Sequence, residues 1–196
     1  GTKGLSYINV ADMDLGQRLA RKLDIIFPGK SIAVIIKHEM PSAVALGDSS
    51  PEAFQKAWQA DSLSNFGSVD VFNTEVGPEL AGWLVESARN IEVVYAPSYT
   101  PEALDILSSR KVLRVVRMGA QLSEAAVDNG LEFKRVAGGL LVQKRFDSRI
   151  VSPEFIDVVS VKKPTDTQLK AALLCWTVAC FTRSNAIVIG TEDKIH

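Results

Sequence analysis

Strand-like and helix-like segments alternate along residues 31 to 117, and this alternation constrains the fold more than any other feature. The strand-like segments are short, apolar and rich in β-branched residues, such as SIAVIIK at 31–37. Two of the helix-like segments between them begin with serine or threonine followed by proline and glutamate, at Ser50 and Thr100, which is typical of a helix start. Strands that alternate with helices form layered folds with a mostly parallel sheet. We therefore predict an α/β protein, a three-layer α-β-α sandwich.

The segments on either side extend this pattern. Leucines at helical spacing predict a first helix over residues 12–27, beginning at its acidic residues. LEFKRVAGGLLVQKRF at 131–146 predicts two strands broken at a pair of glycines. A capping box of Thr165 and Gln168 predicts a long helix, and SNAIVIG at 184–190 predicts a new strand after it. We divide the chain into a first lobe, 1–164, and the connector helix and first strand of a truncated second lobe, 165–196.

Composition excludes several classes of function. The chain of 196 residues has 22 basic and 23 acidic residues, so it lacks the basic field that nucleic-acid binding requires. No stretch approaches the roughly 18 consecutive apolar residues of a membrane span, and no signal peptide is visible, so a cytoplasmic protein is expected. Cys175 and Cys180 lie five apart, a spacing that suits neither a disulfide framework nor a zinc site. No metal site is predicted.

Candidate chemical groups stand where strand-like segments end or begin, because ligands of open α/β sheets bind beyond the carboxyl ends of strands. Lys37 could stabilise an oxyanion and His38 could accept a proton at neutral pH, a pair that suits acyl transfer. The alternative is that two polar residues simply end a buried strand.

Three further places have similar alternatives. SNFG at 64–67 is either part of a site or a turn with a buried aromatic side chain. YAPS at 95–98 could form a pocket wall or only break the strand, and Ser184 and Asn185 lead into the last predicted strand. Glu92 lies in an apolar segment, where a carboxylate needs a partner, a ligand or a wet strand edge. Neither G-x-G-x-x-G nor G-x-x-x-x-G-K-[ST] occurs, which disfavours dinucleotide and P-loop binding.

Six segments occur in an order and spacing that are specific when taken together. They are LSYINVADMD (5–14), KHEMPSAVALG (37–47), DSLSNFGSV (61–69), IEVVYAPSYTPEALDIL (91–107), FKRVAGGLLVQKR (133–145) and LLCWTVACFTRSNAIV (173–188). They cover nearly the whole chain and resemble the aminoimidazole carboxamide ribotide (AICAR) transformylase portion of the bifunctional purine-biosynthesis enzyme family. The resemblance implies a cytidine-deaminase-like lobe, and a homodimer whose active site is shared between both lobes.

The same resemblance implies an activity and a set of site residues. The activity is formyl transfer from the cosubstrate 10-formyltetrahydrofolate to the 5-amino group of AICAR, late in purine synthesis, with no catalytic metal. His38 would be the base, Lys37 would stabilise the oxyanion and Asn185 would orient the reacting groups. The residues implied to bind the ribotide are Asn9, Pro41, Ser64, Phe66, Gly67, Glu92, Ala96 and Pro97.

The chain also departs from that family. Met40, Ser42, Ala43 and Ser68 differ from the usual pattern, and the cyclohydrolase half and the glycine-rich region expected after residue 188 are absent. The zinc signature H-x-E…P-C-x-x-C is absent too, which argues against a zinc deaminase. A second hypothesis is therefore a catalytically silent module that binds the ribotide or mediates dimerisation.

Overall fold

A five-stranded sheet lies at the centre of the computed structural model, which describes residues 3–86, 90–119, 130–145 and 152–196. Its order is β2-β1-β3-β4-β5, in which β1 is antiparallel to both neighbours while β3, β4 and β5 are mutually parallel. Four strands thus run in one direction and β1 runs in the other. The strands are β1 Ser31–Lys37, β2 Met40–Gly47, β3 Val69–Phe72, β4 Val93–Ala96 and β5 Arg114–Arg117.

Helices cover both faces of the sheet. One apolar core lies between the sheet and α2, α3 and α4, and alternate strand residues such as Ile35 and Phe72 point into it. The second core lies between the sheet and α1 and α5, and contains Val34 and Val71. The strands are continuously apolar because both of their faces are buried, and the predicted three-layer α/β class is confirmed. The helices are α1 Tyr7–Ile26, α2 Ser50–Ala60, α3 Pro78–Glu86, α4 Pro101–Ser108 and α5 Asp166–Cys180, with a short 3-10 helix at Pro153–Phe155.

Helix α1 begins at Tyr7, five residues before the predicted start at residue 12. Ser6 caps it: its hydroxyl accepts a hydrogen bond from the Asn9 N–H, and the Asn9 side chain accepts one from the Ser6 N–H. Capping boxes usually have Glu or Gln in the place of this asparagine, so the acidic residues further on gave the more visible signal. The predicted start of the helix was wrong because Asp12 lies inside the helix and faces the protein.

Strands β1 and β2 form a hairpin that the sequence pattern did not predict. A proline and several small residues in 40–47 have low strand propensity, yet this segment pairs with β1 from Met40 to Gly47, with a register shift at Ser42. His38 and Glu39 are the two turn residues, with φ of 54° and 58°. Two consecutive positive φ angles are characteristic of a type I′ turn. The segment after Lys37 is therefore a tight reversal of the chain.

The two strands predicted at 131–146 are confirmed as β6 Leu131–Val136 and β7 Gly139–Lys144, an antiparallel pair with Gly138 in the turn at φ 85°. Phe146 lies outside the described residues. Every residue of both strands is exposed.

The C-terminal segment packs on the same sheet. Helix α5 begins after Thr165, whose capping box with Gln168 is confirmed. Leu174 and Val178 of α5 join the core formed by α1 and the sheet, and the Ile195 N–H donates a hydrogen bond to the Val44 carbonyl of β2. The strand predicted at 184–190 is wrong, since this segment forms only an isolated bridge at its last residue. The division at residue 165 stays a prediction.

Candidate active site

Four of the segments singled out in the sequence meet at one edge of the sheet, where 'edge' means the side of the sheet on which the ends of successive strands lie. β1 ends at this edge, whereas β3, β4 and β5 begin there, because β1 runs in the opposite direction. Lys37 ends β1, residues 64–67 precede β3, Glu92 precedes β4, and Asn9 lies in the first turns of α1. The carboxyl-end rule therefore needs correction here: the carboxyl end of β1 meets the amino ends of the other four strands, since β2 also begins at this edge.

Lys37 is held in place by the loop that precedes β3. Its Nζ donates a hydrogen bond to the Ser64 carbonyl at 2.8 Å and lies 5.8 Å from the centroid of the Phe66 ring. An ammonium group has three donors, so this contact leaves capacity for an oxygen of a bound ligand. A cation over an aromatic ring is attracted to the electron-rich face. The arrangement supplies a positioned positive charge at the edge of the sheet.

His38 lies beside Lys37 at the tip of the hairpin and is exposed. Left-handed backbone costs a residue with a side chain about 1–2 kcal/mol, and strained backbone of this kind clusters at functional sites. The imidazole therefore projects from a tight, strained turn at the edge of the sheet. Pro41 follows on β2, opposite Ile36.

Glu92 has partners on two elements. Its Oε2 accepts hydrogen bonds from Asn9 Nδ2 at 3.1 Å and from Arg114 Nη1 at 3.4 Å. Asn9 is buried, and Glu92 itself is exposed just before β4. A carboxylate in this apolar segment needs a partner, and the structure provides two: an amide and a guanidinium group. Arg114 was not predicted; the signal for it is the register that pairs Val93 with Arg114 across β4 and β5.

The loop before β3 differs from the predicted turn with a buried aromatic side chain. Phe66 is 61% exposed, whereas the neighbouring Asn65 is fully buried. Gly67 has φ 77° and its N–H donates to the Asn90 carbonyl, while the Ser64 N–H donates to Asp61 Oδ1. The loop therefore presents an aromatic face and backbone groups towards the same edge as Lys37.

Arg183, two residues before Asn185, contacts the hairpin through its side chain. The Arg183 guanidinium lies 2.7 Å from Glu39 Oε2, which joins the segment after α5 to the turn between β1 and β2. Asn185 follows two residues later and is exposed. The structure thus ties Arg183 to the turn that follows β1.

Ala96 and Pro97 lie at the other edge of the sheet. Ala96 ends β4, three residues after Val93, and a strand rises about 3.3 Å per residue, or about 10 Å over this distance. Ala96 is also fully buried. These two residues are the members of the predicted ribotide set that the structure does not bring together with Lys37 and His38.

Asp12 is a buried carboxylate that nothing in the sequence marked as part of this site. It is 3% exposed, and its Oδ1 accepts a hydrogen bond from the Glu39 N–H at 2.7 Å. Burial raises its pKa, while the hydrogen bond from Glu39 and the charge of His38 act in the opposite direction. Asp12 therefore lies directly behind the turn that carries His38.

Neither a cluster of metal-ligand side chains nor a membrane-spanning helix occurs in the described part of the chain. Residues 3–86, 90–119, 130–145 and 152–196 contain no group of three or more His, Cys, Asp or Glu side chains that could hold a metal ion. Cys175 and Cys180 take part in no disulfide within the described residues. Among the described helices, none combines the length and the apolar character needed to cross a membrane.

Comparisons with known proteins give one family and several solved structures. The family model described as AICARFT/IMPCHase bienzyme matches residues 1–196. A protein described as a formate dehydrogenase accessory protein from Desulfotalea psychrophila is 12% identical with a TM-score of 0.46, over 55% of this chain and 48% of that one. This chain thus spans about half the length of that protein. The apo structure of the dCMP deaminase of cyanophage S-TIM5 is 15% identical to this chain with a TM-score of 0.41. The structure of the same deaminase in complex with dCMP and dUMP is 13% identical with a TM-score of 0.42. Each match covers 59% of this chain and 100% of the other.

Proposed function

Because the chain belongs to the AICARFT/IMPCHase bienzyme family, we propose that it carries out the formyl transfer of that family. The formyl carbon of 10-formyltetrahydrofolate forms a bond to the 5-amino nitrogen of AICAR and its bond to the folate nitrogen breaks. The amine loses a proton and the folate nitrogen gains one, so the products are the formamido ribotide and tetrahydrofolate. The observation that carries the proposal is the meeting of Lys37, His38, Asn9 and Glu92 at one edge of the sheet.

His38 is proposed as the general base. The amino group of AICAR is a poor nucleophile, because its lone pair is delocalised towards the carboxamide, so removal of its proton during attack accelerates the reaction. A histidine can accept a proton at neutral pH. His38 is exposed at the tip of a tight turn, where a ligand at the edge of the sheet can reach its imidazole.

Lys37 is proposed to stabilise the charge that develops on the formyl oxygen. Attack on a carbonyl carbon places negative charge on its oxygen, and a positioned cation stabilises that charge without having to reorganise. The contact of the Lys37 ammonium with the Ser64 carbonyl fixes the cation before a ligand arrives. Asn185 is proposed to orient the formyl or amino group, since its segment is joined to the hairpin by Arg183 and Glu39.

The ribotide is proposed to bind along the same edge of the sheet. Asn9, Glu92 and the 64–67 loop offer amide, carboxylate, aromatic and backbone groups there, and Pro41 follows the turn on β2. Ala96 and Pro97 lie at the other edge, so their part in ribotide binding stays a prediction from the family resemblance. Homodimerisation and the binding site for the folate likewise rest on that resemblance.

Two measurements on the purified chain test this proposal. The chain is mixed with AICAR and 10-formyltetrahydrofolate and tetrahydrofolate formation is followed by absorbance, while thermal unfolding is measured with and without the ribotide. Turnover together with ribotide-dependent stabilisation is expected. Stabilisation without turnover would favour the catalytically silent binding module instead. If the chain showed no turnover and no ribotide-dependent stabilisation, the assignment of the site would be contradicted.

A further inference from the structure

The turn between β1 and β2 is held from two sides by groups outside the hairpin. The Glu39 N–H donates a hydrogen bond to Asp12 Oδ1 on α1, and Glu39 Oε2 accepts one from Arg183 Nη2 after α5, each at 2.7 Å. The first contact holds the backbone of the turn and the second holds its side chain. The turn that carries His38 is therefore tied to two helical segments that pack on the same face of the sheet.

This turn requires such restraint because of its residue types. Type I′ turns strongly favour Asn-Gly and related pairs, since both central residues have positive φ. Here the pair is His38 and Glu39, at φ 54° and 58°. Histidine occurs in the left-handed region more often than most residues, but glutamate does not, and neither is the asparagine or glycine that this turn favours. Without an external partner, the turn would relax towards ordinary backbone angles and displace the imidazole. A hydrogen bond from the turn backbone to a fixed acceptor opposes that relaxation.

Asp12 is well suited to be this acceptor. It is 3% exposed and sits in the interior of α1, a helix of 20 residues, so its position is set by the packing of the helix on the sheet. A hydrogen bond from an amide to a carboxylate is short and strong compared with a neutral pair. Asp12 also follows Asn9 by three residues, which places both on one face of the helix. One helix thus fixes both the turn and the partner of Glu92.

We propose that Asp12 is a positioning residue, which acts through the Glu39 N–H to hold His38 in the geometry needed to accept a proton. Asp12 does not contact the substrate in this account. Its required property is an oxygen that accepts a hydrogen bond, and an asparagine can supply this as well as an aspartate. The catalytic part of the inference rests on the proposed formyl transfer, whereas the structural part does not.

Three variants of the full chain test the proposal. Asp12→Ala removes the acceptor, and Asp12→Asn retains an acceptor oxygen. Asp14→Ala is the matched control, because Asp14 lies on the same helix but is half exposed and paired with Arg18. Thermal unfolding of each variant sets a temperature at which all are folded, so that loss of folded protein does not affect the comparison.

The first readout is hydrogen exchange of the Glu39 amide, measured by NMR. We expect exchange at least 10-fold faster in Asp12→Ala than in the wild type, with protection retained in Asp12→Asn and Asp14→Ala. Unchanged protection in Asp12→Ala would overturn the proposal, and so would lost protection in Asp12→Asn. This readout needs no turnover, so it decides the structural part even if formyl transfer fails.

The second readout is the steady-state kinetics of formyl transfer. A small misplacement of a catalytic group can reduce a rate by about 100-fold, so we expect kcat of Asp12→Ala to fall by about 10- to 100-fold with KM for the ribotide unchanged. Asp12→Asn should restore most of the rate. Wild-type kcat in Asp12→Ala would overturn the positioning role. An Asp12→Asn variant as slow as Asp12→Ala would overturn the role of the hydrogen bond.

Discussion

Asp70 is a carboxyl group whose buried environment disfavours its charged form. It lies fully buried in β3, where Ser68 Oγ donates a hydrogen bond to its Oδ1 at 2.7 Å, while its Oδ2 has no hydrogen-bond partner in the described part of the protein. Burial raises its pKa from 3.8 to about 7, with the Ser68 hydrogen bond and the Arg110 charge opposing the shift. A carboxyl with a raised pKa binds its proton more tightly in the folded state than in the unfolded state.

Asp70 should therefore make the protein less stable as pH rises. Between pH of about 4 and 7 the folded state binds more protons at this position than the unfolded state does, so the free energy of unfolding decreases with pH. Asp70→Asn should remove this decrease, and the variant should be more stable than the wild type at pH 8. Urea unfolding from pH 5 to pH 8 measures the difference.

The control for that measurement is Asp105→Asn, which changes an exposed carboxyl on α4 in the same way. Its stability curve should follow the wild type. Other carboxyl groups also contribute to the slope, so the difference between wild type and Asp70→Asn is the relevant quantity. Parallel curves for these two proteins would contradict a raised pKa at Asp70.

Residue type alone could identify some members of the site but not others. Lys37, His38 and Glu92 were visible because a basic pair ends an apolar strand and a carboxylate interrupts another. Asp12 and Arg114 were not visible, because their roles depend on the true start of α1 and on the register between β4 and β5. These are properties of packing and pairing, which residue type does not reveal.

At the scale of elements, α1 lies against the sheet at a glycine. A Cβ added at Gly16 would stand 2.6 Å from Val71 Cγ2 and 3.0 Å from Ile36 Cγ1. Because valine is branched and stiff at this position, it cannot move aside easily. The close approach of α1 places Asn9 and Asp12 against the edge where β1 ends.

Gly16→Ala should therefore push α1 away from the sheet. The expected loss in the free energy of unfolding is about 1–3 kcal/mol, as for other overpacked cores, and ribotide-dependent stabilisation should decrease with it. The matched control is Gly82→Ala in α3, where an added Cβ meets nothing within 4 Å. That variant should be more stable by about 0.5–1 kcal/mol, because alanine favours helix over glycine. Urea unfolding measures both, and equal stability of the two variants would contradict the close packing of α1.

The alternation of strand and helix patterns was enough to predict most elements, but not the direction of each strand. β1 is antiparallel to β3 because the hairpin to β2 precedes α2, and only the pairing register shows this. Apolar periodicity reports burial on one or both faces and is the same for either strand direction. The site consequently forms where β1 ends and the other four strands begin.

At the scale of the whole molecule, the C-terminal segment shares a core with the first lobe. Leu174 is fully buried and packs in the same cluster as Leu19, Val34 and Val71. Apolar periodicity can indicate that one face of a helix is buried, but it does not say which surface covers that face. The prediction that 165–196 begins a second lobe is thus open to a direct test of cooperativity.

Leu174→Ala should destabilise the entire described sheet. Loss of a fully buried leucine costs about 2–5 kcal/mol, and the effect should appear in one cooperative transition detected by both far-UV circular dichroism and tryptophan fluorescence. Val161→Ala, at a fully exposed position just before α5, should change stability by less than about 0.5 kcal/mol. Two separate transitions, with only one shifted by Leu174→Ala, would contradict a shared core and support an independent second unit.

The most direct test of the central claim is the rate of formyl transfer by His38→Asn. Asparagine tolerates the left-handed backbone that this turn requires, so the variant removes the base while keeping the turn. His196→Asn makes the same change at the other histidine of the chain and should keep the wild-type kcat. We predict that kcat of His38→Asn falls by about 10²- to 10⁴-fold, the range expected for a general base, with thermal stability unchanged or higher. A wild-type kcat in His38→Asn would contradict the assignment of His38 as the base.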